Sequence, residues 1–233
     1  MGDLALPTSP AATTRKRAPR GGLTPDRIIE VAMGIIEADG SDALTFRRLG
    51  TELGVDHTAV LRHFRGKDDL MLALADRLMT EALAGVEVSS DWRATLKGLA
   101  QRVRLACHAL PQVAVVVSGR TTRRASEFEG AEIVLGALRQ AGLRGREAAS
   151  CYRALVEIAL AYASMEATLM ALPAEAMARD RDAWSREYLA LPPAQYPNIA
   201  AVAPYLAEVD EEDQFDIALD LFMDAIEVRA SRK

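Results

Sequence analysis

The chain has 233 residues and a net charge of −5, with half of its residues apolar and only 5% aromatic. That length allows one large domain or a small one joined to a medium one, and the acidic balance taken by itself argues against nucleic acid, although the distribution of charge matters more. No window holds the ~18 uninterrupted apolar residues of a membrane span, and Cys107 and Cys151 stand too far apart for a thiol-redox or zinc motif, which leaves two packed thiols.

Residues 1 to 23 place their basic cluster, Arg15, Lys16, Arg17 and Arg20, after a short apolar stretch. That is the reverse of a secretory signal, so the segment reads as a disordered basic tail on a soluble, cytoplasmic protein. Beyond it Ala and Leu dominate, which suits helices. Thr24-Pro25-Asp26 is a helix start and Asp39-Gly40 a stop, with Ile28, Ala32, Ile35 and Ile36 on one stripe between them. A second short helix follows, capped by Thr45, with Phe46, Leu49 and Leu53 inward. Gly54 stands where the chain turns sharply. Asp56 then caps a third helix whose Val60 and Phe64 point inward, and Lys67-Asp68-Asp69 opens a longer fourth helix running to about Ala84.

Three short helices in about 40 residues, the last two joined by a tight Gly turn, match a helix-turn-helix unit. If Val60 and Phe64 face the core, then His57, Thr58, Leu61 and Arg62 form the outward face of the third helix, and that face suits the DNA major groove. Residues 15 to 67 hold ten Lys or Arg against seven Asp or Glu. A small basic head therefore sits on an acidic body, an asymmetry that invites a polyanion at one end.

The rest reads as helical: residues 91 to 109, 126 to 142, 146 to 171 and 211 to 231 carry amphipathic or wholly apolar periodicity. The stretch PQVAVVVSG (111 to 119) fits either a strand or a buried helix. Residues 172 to 206, with five prolines, read as a loop-rich insertion around one helix near 175 to 190. The expected organisation is all-α, with a tail (1–23), a helix-turn-helix DNA-binding domain (24–70) and a larger helical ligand-binding and dimerisation domain (71–233). No HExxH, GxSxG or Gly-rich phosphate loop is present, and three His are few for general-base work, so an enzyme is not expected.

From Thr24 to Leu70 the motifs LTFRRLGTELGV, VLRHF and GKDDL resemble the DNA-binding head of tetracycline-repressor (TetR) family regulators. The resemblance implies that Thr45 and Arg47 meet phosphate, with a base edge within reach. It implies that His57 and Thr58 read bases, and that His63 and Lys67 hold phosphates, Lys67 aided by the free N–H groups opening the fourth helix. Two departures stand out. Leu61 replaces a Tyr that commonly donates to phosphate, leaving contact with a thymine methyl or sugar, and Gly66 replaces a common Ser.

Apolar and soft side chains of the body, Trp92, Val103, Val113, Val117, Phe128, Tyr162 and Met165, suit either a plain core or the family's ligand cavity. His108 is the one His outside the head and is grouped with them. Val117 stands where the metal-chelated tetracycline binders are expected to have a histidine, so neither a drug–magnesium site nor any other metal or cofactor is expected. The helix of residues 146 to 171, carrying Leu155, Ile158 and Tyr162, is apolar around most of its circumference, and the last helix is striped by Phe215, Leu219, Phe222 and Ile226. The resemblance implies that these two helices form a four-helix bundle with a second copy. The expected partners are a double-stranded, near-palindromic DNA operator, a small-molecule effector that releases it, and a second copy of the chain. A ligand-independent or co-repressed DNA-binding protein is the alternative.

Overall fold

The computed structural model describes residues 22–170, 172–182, 186–209 and 213–231, and among them it is all helical apart from turns. The basic cluster at Arg15 to Arg20 lies outside the described residues.

The head is set by local capping. Helix α1 (Pro25–Asp39) starts where the Thr24 hydroxyl accepts from the Arg27 N–H at 3.3 Å. A short 3₁₀ turn (Ser41–Ala43) leads to α2 (Phe46–Leu53), where Thr45 accepts from the Arg48 N–H at 3.1 Å. Gly54 ends α2 in the left-handed region at φ 67°, which a side chain would strain. Helix α3 (His57–Leu61) follows under the Asp56 cap. Packing brings α2 and α3 so close that a Cβ on Gly50 would lie 2.9 Å from the Val55 carbonyl oxygen and 3.0 Å from the His57 nitrogen. Only glycine fits at that contact.

Helix α4 (Lys67–Leu83) runs from the head into the body. The body comprises α5 (Trp92–Ala109), α6 (Pro111–Gly119), α7 (Ala125–Gln140), α8 (Gly145–Leu169), α9 (Ala174–Asp182), α10 (Pro197–Val209) and α11 (Gln214–Ala230). Two cores result. One joins Ile28, Leu49, Val60 and Leu74 of the head and α4 to Leu110, Val113 and Val117 around α6. The other joins Leu99 of α5, Leu138 of α7, Leu155 of α8 and Phe215, Leu219 and Ile226 of α11. Burial of these faces supplies most of the helices' stability.

The ambiguous stretch 111–119 is helix α6, with Pro111 at its first position, where no donor is needed. The segment expected to be loop-rich holds a second helix, α10. Its prolines misled because Pro197 also opens a helix, while Pro204 sits inside one and removes a single backbone bond. No helix among the described residues is long and apolar enough to cross a membrane.

Candidate nucleic-acid interface and cavity

Thr45, Arg47, His57, Thr58, Leu61, Arg62, His63 and Lys67 are all exposed, while Val60 and Phe64 are buried beneath them. The fold therefore brings the eight expected DNA-facing residues to the surface around α2, α3 and the start of α4. Arg48, next to Arg47, is committed elsewhere, pairing with Glu52 at 2.9 Å and Asp39 at 3.2 Å. Among the described residues Arg47 and Arg62 form no salt bridge, so their guanidinium groups remain available to phosphate. The Lys67 ammonium donates to the Ser41 carbonyl at 3.1 Å, which holds the start of α4 against the 3₁₀ turn. Leu61 is 43% exposed, an apolar group amid polar ones. Asp56 Oδ1 accepts from both the N–H and the hydroxyl of Thr58, and these bonds hold its carboxyl below the usual carboxylate range.

Helices α4, α5, α6, α7 and α8 surround a cavity of about 310 Å³. Much of its wall is apolar, built from Met79, Leu83, Leu99, Val103, Val134 and Leu155, with Glu127, Arg153 and Glu157 as charged members. Its polar groups include Tyr152 and, in the α6–α7 connection, Arg120 and Thr122. Of the residues expected to line a cavity, Val103 and Val117 do so. The other six are placed differently. Val113 is fully buried in the core shared with the head. Trp92 packs against the body core under the Arg93 guanidinium. His108 Nε2 lies 2.9 Å from Glu166, which also takes a two-pronged bond from Arg104. Tyr162 stacks edge-on against Phe215 with ring centroids 6.1 Å apart. Phe128 and Met165 point outward, 63% and 50% exposed. Helical spacing cannot tell a core position from a cavity wall, since both recur every three or four residues.

Sequence reasoning missed the charged groups that join cavity to head. Arg120, at the cavity edge, donates to both oxygens of Asp68 at 2.7 and 3.1 Å. That pairing holds the Asp68 carboxyl below its ordinary range. Arg124 pairs with Asp69 at 3.0 Å, and the Ser126 hydroxyl, also at the cavity, donates to Asp76 at 2.7 Å. All three acceptors lie on α4, and Asp68 directly follows Lys67. No spacing rule links positions 50 residues apart, so only the fold reveals this seam.

The stripe expected at a subunit interface is used inside one subunit. Leu155, Phe215, Leu219 and Ile226 are each at most 4% exposed in the body core, and Phe222 packs at its edge. The free apolar face of α11 lies opposite, at Leu221, Ala225 and Val228, of which Leu221 is 66% exposed. On α8 the free positions are Ala161, Met165 and Leu169, in line with half-buried Ala154 and Ile158. Helical periodicity alone does not distinguish a face turned to the chain's own core from one turned to a second copy.

Two family models match: "Bacterial regulatory proteins, tetR family" over residues 28–74, and "Tetracyclin repressor-like, C-terminal domain" over residues 86–230. The chain is 25% identical over 229 residues to the HTH-type transcriptional repressor DrrR1 of Streptomyces coeruleorubidus, covering 93% of this chain and 82% of the relative. It is 28% identical over 209 residues to the tetracycline repressor protein class A from transposon 1721 of Escherichia coli, covering 89% and 92%. Apo ActR from Streptomyces coelicolor superposes with a TM-score of 0.76 at 26% identity, over 92% of this chain and 99% of ActR. ActR solved in complex with actinorhodin gives 0.77, again at 26% identity, over 90% and 99%. An exposed helix-turn-helix, a cavity within a helical body and matches along both parts of the chain lead to one conclusion: this protein belongs to the TetR family and is a transcriptional regulator.

Proposed function

We propose that the protein is a repressor, acting in the cytoplasm as a homodimer on a near-palindromic operator and released by a small, mostly apolar molecule held in the body cavity. The observation that carries this reading is the position of Arg120, which lines the cavity and at the same time grips Asp68 beside Lys67. A molecule that shifts Arg120 alters the hold on the start of α4, and with it the setting of the DNA head. Release follows only if the molecule binds the DNA-free arrangement more tightly, and then operator DNA weakens the molecule by the same factor. ActR, solved with actinorhodin and with (S)-DNPA, supports a small-molecule effector. The wall of Met79, Leu83, Leu99 and Val134 suits an apolar body, and the nearby hydroxyls and Arg120 suit polar substituents.

The outward faces of α8 and α11 support the dimer, since Leu221, Ala225 and Val228 follow one exposed helical stripe with none of the described residues covering it. Two-fold symmetry then presents two α3 helices to half-sites about one DNA turn apart, or a multiple of it. The test begins with an operator selected from random duplexes by the full-length protein. A compound library is then screened by thermal shift, and hits are assayed for operator release by fluorescence anisotropy. Lys67→Ala is expected to weaken all DNA alike and to lower the salt slope by about one unit. Val117→Trp is expected to fill the cavity and abolish release while DNA binding persists. Hits that tighten operator binding would reverse the sign to co-repression, and a library with no stabilising compound would argue for a ligand-independent DNA-binding protein.

A further inference from the structure

We propose that Thr58 reads an exocyclic amine, adenine N6 or cytosine N4, because the cap of its own helix makes its hydroxyl an acceptor only. The inference rests on the reading that α3 enters the major groove, and it adds which base edge this position selects. A threonine hydroxyl has one proton and two lone pairs, so in general it pairs with donors and acceptors alike and discriminates poorly. Here the proton is committed. Thr58 donates it to Asp56 Oδ1 at 2.6 Å, and the same oxygen accepts the Thr58 N–H at 2.8 Å.

An O–H···O⁻ bond of that length is charge-assisted and about twice as strong as a neutral one. Guanine O6, guanine N7 and thymine O4 are neutral acceptors, so none competes with the carboxylate for the proton. Asp56 stays ionised at neutral pH because the Thr58 bonds hold its carboxyl low, and the His57 ring stands 3.6 Å from the same oxygen. Exposed Thr58 therefore presents lone pairs and a methyl group to the groove. Every base pair carries one amine on its major-groove edge, on adenine or on cytosine. An acceptor-only reader consequently distinguishes strands: it favours adenine or cytosine on the strand it faces and disfavours guanine or thymine there.

The experiment measures, by fluorescence anisotropy, the affinity of the full-length protein for its selected operator with all four base pairs at each half-site position. Wild type, Thr58→Ser and Thr58→Val are compared. One position per half-site is expected to prefer adenine or cytosine on one strand by roughly tenfold in wild type and Thr58→Ser. Thr58→Val, of the same shape but without the acceptor, is expected to lose that preference and keep the others. Replacing the preferred base by its desamino analogue should cost wild type about as much and Thr58→Val nothing. Asp56→Ala frees the proton, so guanine or thymine should become tolerated at that position; circular dichroism melts separate this from loss of the cap. A Thr58-dependent preference for guanine or thymine, or an unchanged profile in Thr58→Val, would overturn the proposal while leaving the groove reading intact. If wild type selects no sequence at all, or Lys67→Ala binds DNA as wild type does, the groove reading itself has failed.

Discussion

In the head, the bonds that shape the recognition unit join near neighbours: Thr24 to Arg27, Thr45 to Arg48, Asp56 to Thr58. In the body, charged side chains reach across the whole length of the domain. Arg93 meets Asp224 and Glu227, Lys97 meets Asp220, and Arg104 meets Glu166 and Asp213 while lying over the Phe215 ring. The caps of the head are thus specified by rules that act within a turn of helix, with Lys67 to Ser41 and Arg48 to Asp39 as longer ties, whereas the body is specified by which faces happen to meet. A short-range design keeps the DNA-reading surface fixed while the long-range one leaves room for a cavity and for divergence around it. The two should therefore break in different ways.

The largest effect is expected in the body, on opposite faces of α11. Leu219 is wholly buried and Leu221 is 66% exposed, only two residues away. Leu219→Glu places an unpaired charge in the core at a cost of several kcal/mol, and circular dichroism should find the chain unfolded. Leu221→Glu should leave the helical signal intact and convert the proposed dimer to a monomer in light scattering. A folded Leu219→Glu monomer would mean that the inward face of α11 had been assigned wrongly.

The head should break more locally. A Cβ at Gly50 meets backbone of Val55 and His57 rather than a side chain able to move aside. Gly50→Ala is expected to wedge α2 from α3 at a cost of about 1–3 kcal/mol. Operator binding should be lost while dimerisation and effector binding, measured by light scattering and thermal shift, persist. Normal operator affinity in this variant would show that the α2–α3 contact tolerates more than its geometry suggests.

The same difference in range explains what the sequence discloses. Thr24, Thr45, Gly54 and Asp56 announce their roles within three or four residues, so the head could be read with its exposed and buried faces in order. Phe215 and Leu219 announce only that one side of α11 is apolar; Leu221 and Val228 supply a second apolar side, and nothing within the helix says which side meets the subunit's own core. Phe128 and Met165 have the apolar, soft character of a core or cavity wall, yet their position around the helix axis turns them outward. Arg120 and Asp68 could not be paired in advance, because their meeting depends on how α6 crosses α4.

Alkaline pH probes the body core through Cys107, whose thiol burial pushes up from 9.0 to about 11. The unfolded chain loses this proton near 9 while the folded one keeps it, so the native state binds more protons across that window. Stability is then fully present below pH 9 and declines as pH rises toward 11, by roughly 2 kcal/mol at most. Urea titrations at pH 8 and 10.5 should show a smaller loss in Cys107→Ala than in wild type, although that variant starts less stable. The head holds no comparable thiol, and its Asp56 carboxyl, held low by Thr58, weakens only as pH falls below 3.8.

The smallest effect on binding, and the one that most sharpens the comparison, is expected where the two regions meet. Asp68 and Arg120 are exposed, so their pairing adds little to stability by itself. Its value lies in position: Arg120 belongs to the cavity and Asp68 to the first turn of α4, beside Lys67. Asp68 does not itself line the cavity, so Asp68→Asn should leave effector affinity for the free protein close to wild type, while the effector's power to release operator shrinks. Arg120→Gln should shrink release as well, and the double variant should do no more than either single one, because both remove the same link. The carboxyl titrates below 3.8, so release measured from pH 6 to 8 should not vary through this pair. Independent, additive losses in the two variants would mean that cavity and head communicate through the packing of α6 on α4 instead, with Val113 and Val117 as the residues to test next.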